Sequence, residues 1–410
     1  MTESAEVEVF LDGTSPTKVG TAYFHRGPRG ISTTFAYDPT YLGGGGFNID
    51  PSLVLVSGSQ HYNGLLPAFS DAAPDRWGRN LINRDSTTWR RARELDEVDY
   101  LLAVSDDTRQ GALRFKPRNS DTFVGPPSVV PPFISLPTLL HTAREVADSD
   151  EYIQAVKVLL DTGTSALGGA RPKASILCPD GSLGMAKFPQ ASDDWDVIGW
   201  EYATLLLAHA CGLDVPDFRL VPVTNANVLV LRRFDRSGAF KTNSRIPFIS
   251  AMTACSSTDG MNVDYVEVAG AIRELSGGVQ DDLTSLFTRV VFFVAIGNTD
   301  DHLRNLGFLH HPHGWRLSPL YDVNPNPNIR ARRTTSLLGA TTFPEETEAL
   351  LEFSSFCGLK PNTAKNIISR VIEAVSSWKD VARTAGLATR EVKRMEQNFN
   401  LRIEALRKQV

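Results

Sequence analysis

The string NTDDHLRNLGFL places Asp300, His302 and Asn305 directly after an apolar helical stretch that ends at Gly297. A carboxylate followed five residues later by an amide is the spacing at which a catalytic loop offers a general base and then a magnesium ligand. Seventeen residues beyond Asn305, SPLYDVNP presents a second acid, Asp322. That interval is enough for a short hairpin that returns a metal-binding carboxylate to the same place. Upstream, Lys187 in GMAKFP supplies a cation for phosphate oxygens, and Glu201, 14 residues later on a helix, is placed to hold it. Earlier still, Gly168 and Gly169 precede a strand, where bare backbone N–H groups approach phosphates without a side chain in the way. Each signal has a plainer reading. A Gly-Gly pair makes an ordinary turn, Lys187 and Glu201 serve as surface charges, and Asp300 caps a short helix. A glycine turn, Lys, Glu, Asp-x-His-x-x-Asn and Asp in this order rarely coincide, and together they point to phosphoryl transfer.

These residues need a scaffold. EVEVFLDG, KVGTAYFHRG and GISTTFAYDP alternate apolar and polar residues between turn signals and read as strands. Pro74 and Asp75 start a helix with Trp77, Leu81 and Ile82 on its apolar face. A second helical stretch lies near Val98 to Val104, and GALRFKP closes as a strand. Residues 118–137, with PPSVVPP, form a linker candidate. Helical pattern returns from Leu139 to Leu160. ARPKASILCPDGSLGMAKFPQ is a strand pair around Pro-Asp-Gly, and DVIGWEYATLLLAHACGL is a long amphipathic helix closed by Gly212. VPDFRLVPV and NVLVLRRFDR are strands. The remainder is mainly helical, apart from a hairpin at LGFLHHPHGWRLSPLYD. The expected fold class is therefore α+β, a two-lobed divergent protein-kinase-like fold with a strand-rich N-terminal lobe and a mainly helical C-terminal lobe. The expected divisions are 1–117, a linker at 118–137, a nucleotide-binding part at 138–235 and a helical catalytic lobe at 236–410.

The chain has 410 residues, 42% apolar and 22% charged, and a net charge of −5. This is an ordinary globular composition and argues against bulk coating of nucleic acid. Cys178, Cys211, Cys255 and Cys357 are scattered without a CxxC pair and read as free thiols. MTESAEVEVFLDG lacks the features of a secretory leader, and VVFFVAIG is too short to span a bilayer. A cytoplasmic protein with no membrane contact is expected.

The motifs LPAFSDAAPDRWGRNLI, GALRFKP, GGARPKA, AKFP, WEYATLLLAHACGL, LRRFDR, NTDDHLRNLGFL and LSPLYDVNP together resemble the HipA family of serine/threonine kinase toxins, over nearly the whole chain. The resemblance implies ATP and Mg2+ as cofactors. It implies a phosphate loop of Gly168, Gly169, Ala170, Arg171, Pro172 and Lys173, with Lys187 on the nucleotide phosphates. It implies a hinge of Arg232, Arg233 and Phe234 reading the adenine edge through backbone groups. Asp300 is implied as catalytic base. His302, Leu303, Arg304 and Asn305 are implied to line the ATP site beside Tyr321, with Asn305 and Asp322 as metal ligands. It also implies a serine or threonine on a cytoplasmic protein as substrate, in the best-known cases an aminoacyl-tRNA synthetase. A small helix-turn-helix antitoxin is the implied partner, with operator DNA reached through or beside it.

The sequence departs from the family pattern twice. Asp300-Asp301-His302 stands where many relatives have Asp-Gly-His, and the extra carboxylate is expected either to add a metal contact or to repel phosphate. Ala166 stands where many relatives carry an autophosphorylated serine, leaving Ser165 or Thr164 as the candidate sites. HHPHG reads as an exposed hairpin turn rather than a zinc site. Arg330, Arg332 and Arg333 read as a solvated loop or as a docking site for an acidic partner. TREVKRMEQNFNLRIEALRKQV reads as a solvated helix or a DNA contact, and Trp77 and Trp200 as core. A small-molecule or lipid kinase and a degenerate scaffold or co-repressor are the competing functions.

Overall fold

The structure is a computed structural model that describes residues 4–28, 30–85, 94–148, 153–164, 169, 171–240, 242 and 244–410. The chain packs as two compact units, Met1–Ala191 with Pro222–Ile249, and Ser192–Val221 with Ser250–Val410. This division is not collinear with the sequence: the strand-rich segments on either side of residues 118–137 belong to one unit.

In the first unit, period-two alternation builds an antiparallel sheet from β1 (Ser4–Leu11), β2 (Thr17–Gly27), β3 (Gly30–Tyr37), β4 (Ser59–Asn63) and β5 (Leu113–Pro117), in spatial order β4-β3-β2-β1-β5. Val9, Phe24, Phe35 and Phe115 point inward and are fully buried. Phe69, on the short helix Pro67–Asp71, stands edge-on to Phe24, Phe35 and Phe115. The helix Arg76–Arg84 begins where Asp75 accepts the Gly78 N–H, and it buries Trp77, Leu81 and Ile82 as their spacing required. Arg109 is wholly buried and donates to the carbonyls of Ala72, Leu101 and Val104. Burial lowers its pKa to about 9.

The proline-rich segment is an ordered part of this unit. Val124 N–H donates to Phe115 O, Val129 N–H to Asp161 O, and Pro131 O accepts from Leu177. Helices Leu136–Asp148 and Ile153–Asp161 follow. Next come β6 (Lys173–Leu177) and β7 (Leu183–Lys187), antiparallel about a turn in which Asp180 accepts the Ser182 N–H and hydroxyl. β8 (Phe218–Val223) straddles the two units in sequence, and β9 (Ala226–Arg232) pairs with β7.

The second unit is mainly helical. The helix Val197–Ala210 is buried on nearly every side, not along the single stripe expected of an amphipathic helix. At the centre lies the helix Val279–Ile296, in which every residue from Leu286 to Ile296 is buried. Trp200 is fully buried against Phe399, which stacks on Trp378 at 4.6 Å. The C-terminal helix Thr389–Arg407 is solvated on one face only, since Met395, Asn398, Phe399, Arg402, Ile403 and Leu406 are buried. Among the described residues no disulfide forms, and burial pushes the Cys211 and Cys357 thiols up to about 12. No helix among them is long and apolar enough to cross a membrane.

Candidate active site

The catalytic-loop candidates in the second unit hang from the end of the central helix. Gly297 terminates that helix at φ +72°, a conformation glycine adopts without strain. A Cβ at Gly297 would lie 2.5 Å from Asn398 Oδ1, so the crossing of the C-terminal helix also demands glycine there. Asn398 donates through Nδ2 to Ile296 O and Arg402 donates to Val294 O, satisfying carbonyls left over at the helix end. The chain then runs through residues 298–302 into the short turn Leu303–Asn305. The N-cap position of that turn is His302. The Asp300 side chain is 83% exposed, with His302 Nε2 4.0 Å from Oδ1.

Asn305 Nδ2 donates to Asp300 O at 2.9 Å, which fixes the amide and leaves Oδ1 as its acceptor face. After Asn305 the chain forms the hairpin Gly307–His311 and Gly314–Leu317, the turn expected at HHPHG. Ser318 N–H donates back to Gly307 O, Leu320 N–H to Asp214 O, and Thr204 Oγ1 to Val323 O. Between these anchors Asp322 is held at φ +55°, uncommon for a residue with a side chain and most frequent at functional positions. His302, Asn305, Tyr321 and Asp322 line one shallow recess. Tyr321 Oη donates to Arg304 O at 2.7 Å, while the Arg304 guanidinium pairs outward with Asp259. Leu303 is buried and borders the same recess.

Asp301 corrects two expectations. It is 5% exposed and accepts from Tyr265 Oη at 2.7 Å, from Arg333 Nε at 3.1 Å and Nη2 at 2.5 Å, and from the N–H groups of Thr334 and Thr335. A carboxylate has about four lone-pair sites, so these donors saturate it. Asp301 borders the same recess as Asn305 and Asp322, but its lone pairs are taken up by these donors and none is left for a metal. Arg333 belongs neither to a solvated loop nor to a docking site. It is fully buried, and its other arm donates to Glu346 at 2.9 Å. Glu346 in turn accepts from Arg402. Opposite charges hold the Arg333 guanidinium above its usual range, and the neighbouring carboxylate together with burial pushes the Tyr265 hydroxyl far up. Nothing in the sequence marked Tyr265, Glu346 or Arg402 as site supports.

In the first unit Lys187 lies directly opposite Lys173 across the β6–β7 pair, and both are almost fully buried. Directly opposed residues share a sheet face, so the two lysines lie on one side of the open end of the hairpin. Like charges so placed need anions. Lys173 has one in Asp75, 3.7 Å away, so its amine is turned inward to the start of the Arg76–Arg84 helix. Gly169, at φ +98°, accepts from Trp77 N–H, and Trp77 Nε1 donates to Lys173 O. Of the other phosphate-loop residues, Arg171 and Pro172 are described, whereas Gly168 and Ala170, like Ser165 and Ala166, lie outside the described residues. Thr164 is fully buried, 2.5 Å from the Thr162 hydroxyl. At the hinge candidate, Arg233 N–H is already bonded to Leu183 O and its guanidinium closes on Asp235. Arg232 lies 3.6 Å from Asp180, and Phe234 packs toward Phe248. Glu201, in the second unit, is 1% exposed.

Magnesium typically takes one or two protein oxygens and fills its remaining positions with water and phosphate. Asn305 Oδ1 and the Asp322 carboxylate, on one recess, fit that requirement. Among the described residues no cluster of three or more His, Cys, Asp or Glu offers an all-protein metal site.

A family model described as the HipA N-terminal domain matches residues 7–116, and one described as the HipA-like C-terminal domain matches residues 165–379. "Putative kinase Y4mE" of Sinorhizobium fredii is 24% identical over 261 residues, 57% of this chain and 54% of that protein. A "Putative kinase" of Haemophilus influenzae is 28% identical over 147 residues, 32% of this chain and 42% of that protein. The chain thus spans about half the length of these curated relatives. The solved complex of the Shewanella oneidensis toxin–antitoxin system, HipA with HipB and operator DNA, matches at a TM-score of 0.70 and 15% identity, covering 98% of this chain and 97% of that one. At that identity the match bears on fold, and the strand-rich and helical parts expected from the sequence agree with it. With the C-terminal family model covering more than half of its length, the chain is a member of the HipA family.

Proposed function

We propose that the protein is an ATP- and Mg2+-dependent serine/threonine-protein kinase, the toxin of a toxin–antitoxin pair. The observation that carries the reading is the convergence of His302, Asn305, Tyr321 and Asp322 on one recess, with Asp300 exposed on the adjoining loop. Asp300 accepts the proton of the attacking hydroxyl, for which it must reach beyond the protein surface. Asn305 and Asp322 hold the metal that accompanies the nucleotide. Lys187, at the end of β7, neutralises phosphate charge. ATP, when bound, supplies the γ-phosphoryl group. The protein acceptor is a serine or threonine of a cytoplasmic protein, with an aminoacyl-tRNA synthetase as the first candidate. A small helix-turn-helix antitoxin is the proposed partner, in keeping with the HipB and operator DNA of the Shewanella complex.

Incubation with γ-labelled ATP, Mg2+ and host lysate tests the reading. Label on a serine or threonine of a protein band, absent with Asp300→Asn, is expected. Label only on lipid or small molecules would replace the protein substrate. No label from either form would leave the scaffold reading.

A further inference from the structure

We infer that Asp301 is a positioning residue for the base Asp300, and that the C-terminal helix Thr389–Arg407 sets the catalytic loop through the buried series Asp301–Arg333–Glu346–Arg402. The inference rests on the kinase reading only for its activity readout. Its geometric basis is independent of that reading.

The four side chains alternate in charge, and none is more than 5% exposed. Each arginine is tied to an acid on the series: Arg333 to Asp301 and Glu346, Arg402 to Glu346. Buried ions of this kind contribute little net stability, and their best-attested use is to fix one arrangement among several. Here the arrangement fixed is the path of residues 297–301. Its upstream end is gripped by Asn398 and Arg402, which bind the last carbonyls of the central helix. Its downstream end is gripped by Arg333, Tyr265, Thr334 and Thr335 on Asp301, and the Thr335 hydroxyl donates to Asp301 O at 2.6 Å. In the middle, Asn326 donates to Gly297 O and to Thr299 Oγ1, and Thr334 N–H donates to Thr299 O. Asp300 is the exposed residue left between these holds. Its backbone is thus fixed from both sides while its carboxylate remains outside. Asn326 lies four residues after Asp322, so the metal-ligand segment is fastened to the same path. A base must be held close to its productive geometry for its proton transfer to count, and small displacements are felt strongly in rate.

The test uses the full chain, with phosphate release from Mg-ATP as the activity. Asp301→Asn keeps the side-chain shape but removes the charge opposite Arg333. Thr335→Val is the gentler variant, removing one hydroxyl from the loop. Arg402→Lys keeps the charge at the far end but loses the guanidinium whose Nη1 donates to Val294 O and Glu346 and whose Nε donates to Asn398 Oδ1. Expected are falls in kcat of at least tenfold for Asp301→Asn and about threefold for the other two, with KM for ATP within twofold of wild type. Faster amide exchange confined to residues 297–302 is expected in all three. A purely structural role would lower the amount of folded protein and leave kcat per folded molecule unchanged. If wild-type kcat and unchanged exchange in 297–302 are found in Thr335→Val and Arg402→Lys, the inference is overturned. The Asp300→Asn protein separates the two ideas: if it turns over ATP like wild type, Asp300 is not the base, while the exchange result still decides whether the series fixes the loop.

Discussion

Asp300 and Asp301 are adjacent carboxylates, and the same substitution at each should give opposite signatures. Asp300 is 83% exposed, and no side chain is packed on it to the exclusion of water. The Asn305 amide bonds to its backbone carbonyl, not its carboxylate, so Asp300→Asn leaves that contact intact. Stability should change by no more than about 0.5 kcal/mol, as at exposed positions generally. The amide is no longer basic. A general base contributes roughly 10²–10⁴ in rate, so kcat should fall at least about 100-fold, or about 2.7 kcal/mol in the barrier. Asp301→Asn, by contrast, breaks a buried pair with Arg333, for which about 3–5 kcal/mol is typical. In a unit of this size that corresponds to a midpoint lower by roughly 6–20 °C. The assay is steady-state phosphate release beside thermal unfolding and Mg-ATP calorimetry. Asp300→Asn should bind Mg-ATP as wild type does. A kcat within about threefold of wild type, with intact binding, would refute the assignment of the base. An unfolding midpoint lowered as far as that of Asp301→Asn would show that Asp300 is structural.

Three further outcomes follow from the geometry. Asp322→Ala and Asn305→Ala should each weaken magnesium-dependent ATP binding tenfold or more, measured by calorimetry with and without Mg2+, because each removes an oxygen from a hard cation. Unchanged affinity in both would place the metal elsewhere. His310 packs edge-on to Trp315, and burial, with His311 nearby, lowers its pKa to about 4. Its folded pKa lies below the unfolded value of about 6.5, so the unfolded chain binds more protons between these limits. Its contribution is present above pH 6.5 and is lost as pH falls toward 4. Urea unfolding across that range should show a shallower slope in His310→Phe, and an identical slope would contradict the assignment. Arg109→Met should destabilise the first unit by roughly 1–3 kcal/mol, because three buried carbonyls lose their donor. A denaturation midpoint equal to wild type would mean that water replaces the guanidinium.

The elements were legible wherever local chemistry decides structure. Asp75 before Trp77, Leu81 and Ile82 announced a helix, and the structure begins that helix at Arg76. Pro179-Asp180-Gly181 announced a turn, and Asp180 closes it onto Ser182. The helix Val197–Ala210 was legible in extent but not in environment, because an apolar run does not say how many neighbours surround it. The segment 118–137 reads as a connector, and its hydrogen bonds are not visible in the sequence for a related reason. Proline removes donors, so a proline-rich stretch packs with few hydrogen bonds, and Val129, Pro131 and Leu177 supply them across long sequence separations.

At the site, residues whose chemistry is restricted to a few types stand out by type and spacing, and the structure puts Asn305 and Asp322 on one recess with Asp300 on the adjoining loop. Asp300, Asn305 and Asp322 belong to this class, because few other side chains would serve. Their supports were not found, since an arginine buried against two acids and an arginine waving in water are the same letter. Arg333 sits in IRARRTTS beside Arg330 and Arg332, and only the fold separates it from them by burying it between Asp301 and Glu346. Asp301 was misread for the same reason. Beside Asp300 it looked like a second active-site charge, yet strong alternation of charge in a dry interior is satisfied only by partners from distant parts of the chain, at residues 265, 333, 346 and 402. A carboxylate that is saturated by five donors cannot bind metal, and one with 83% exposure cannot anchor a loop. Burial therefore divides the labour between neighbours of identical chemistry: Asp300 presents its carboxylate to solvent, while Asp301 is enclosed by its donors.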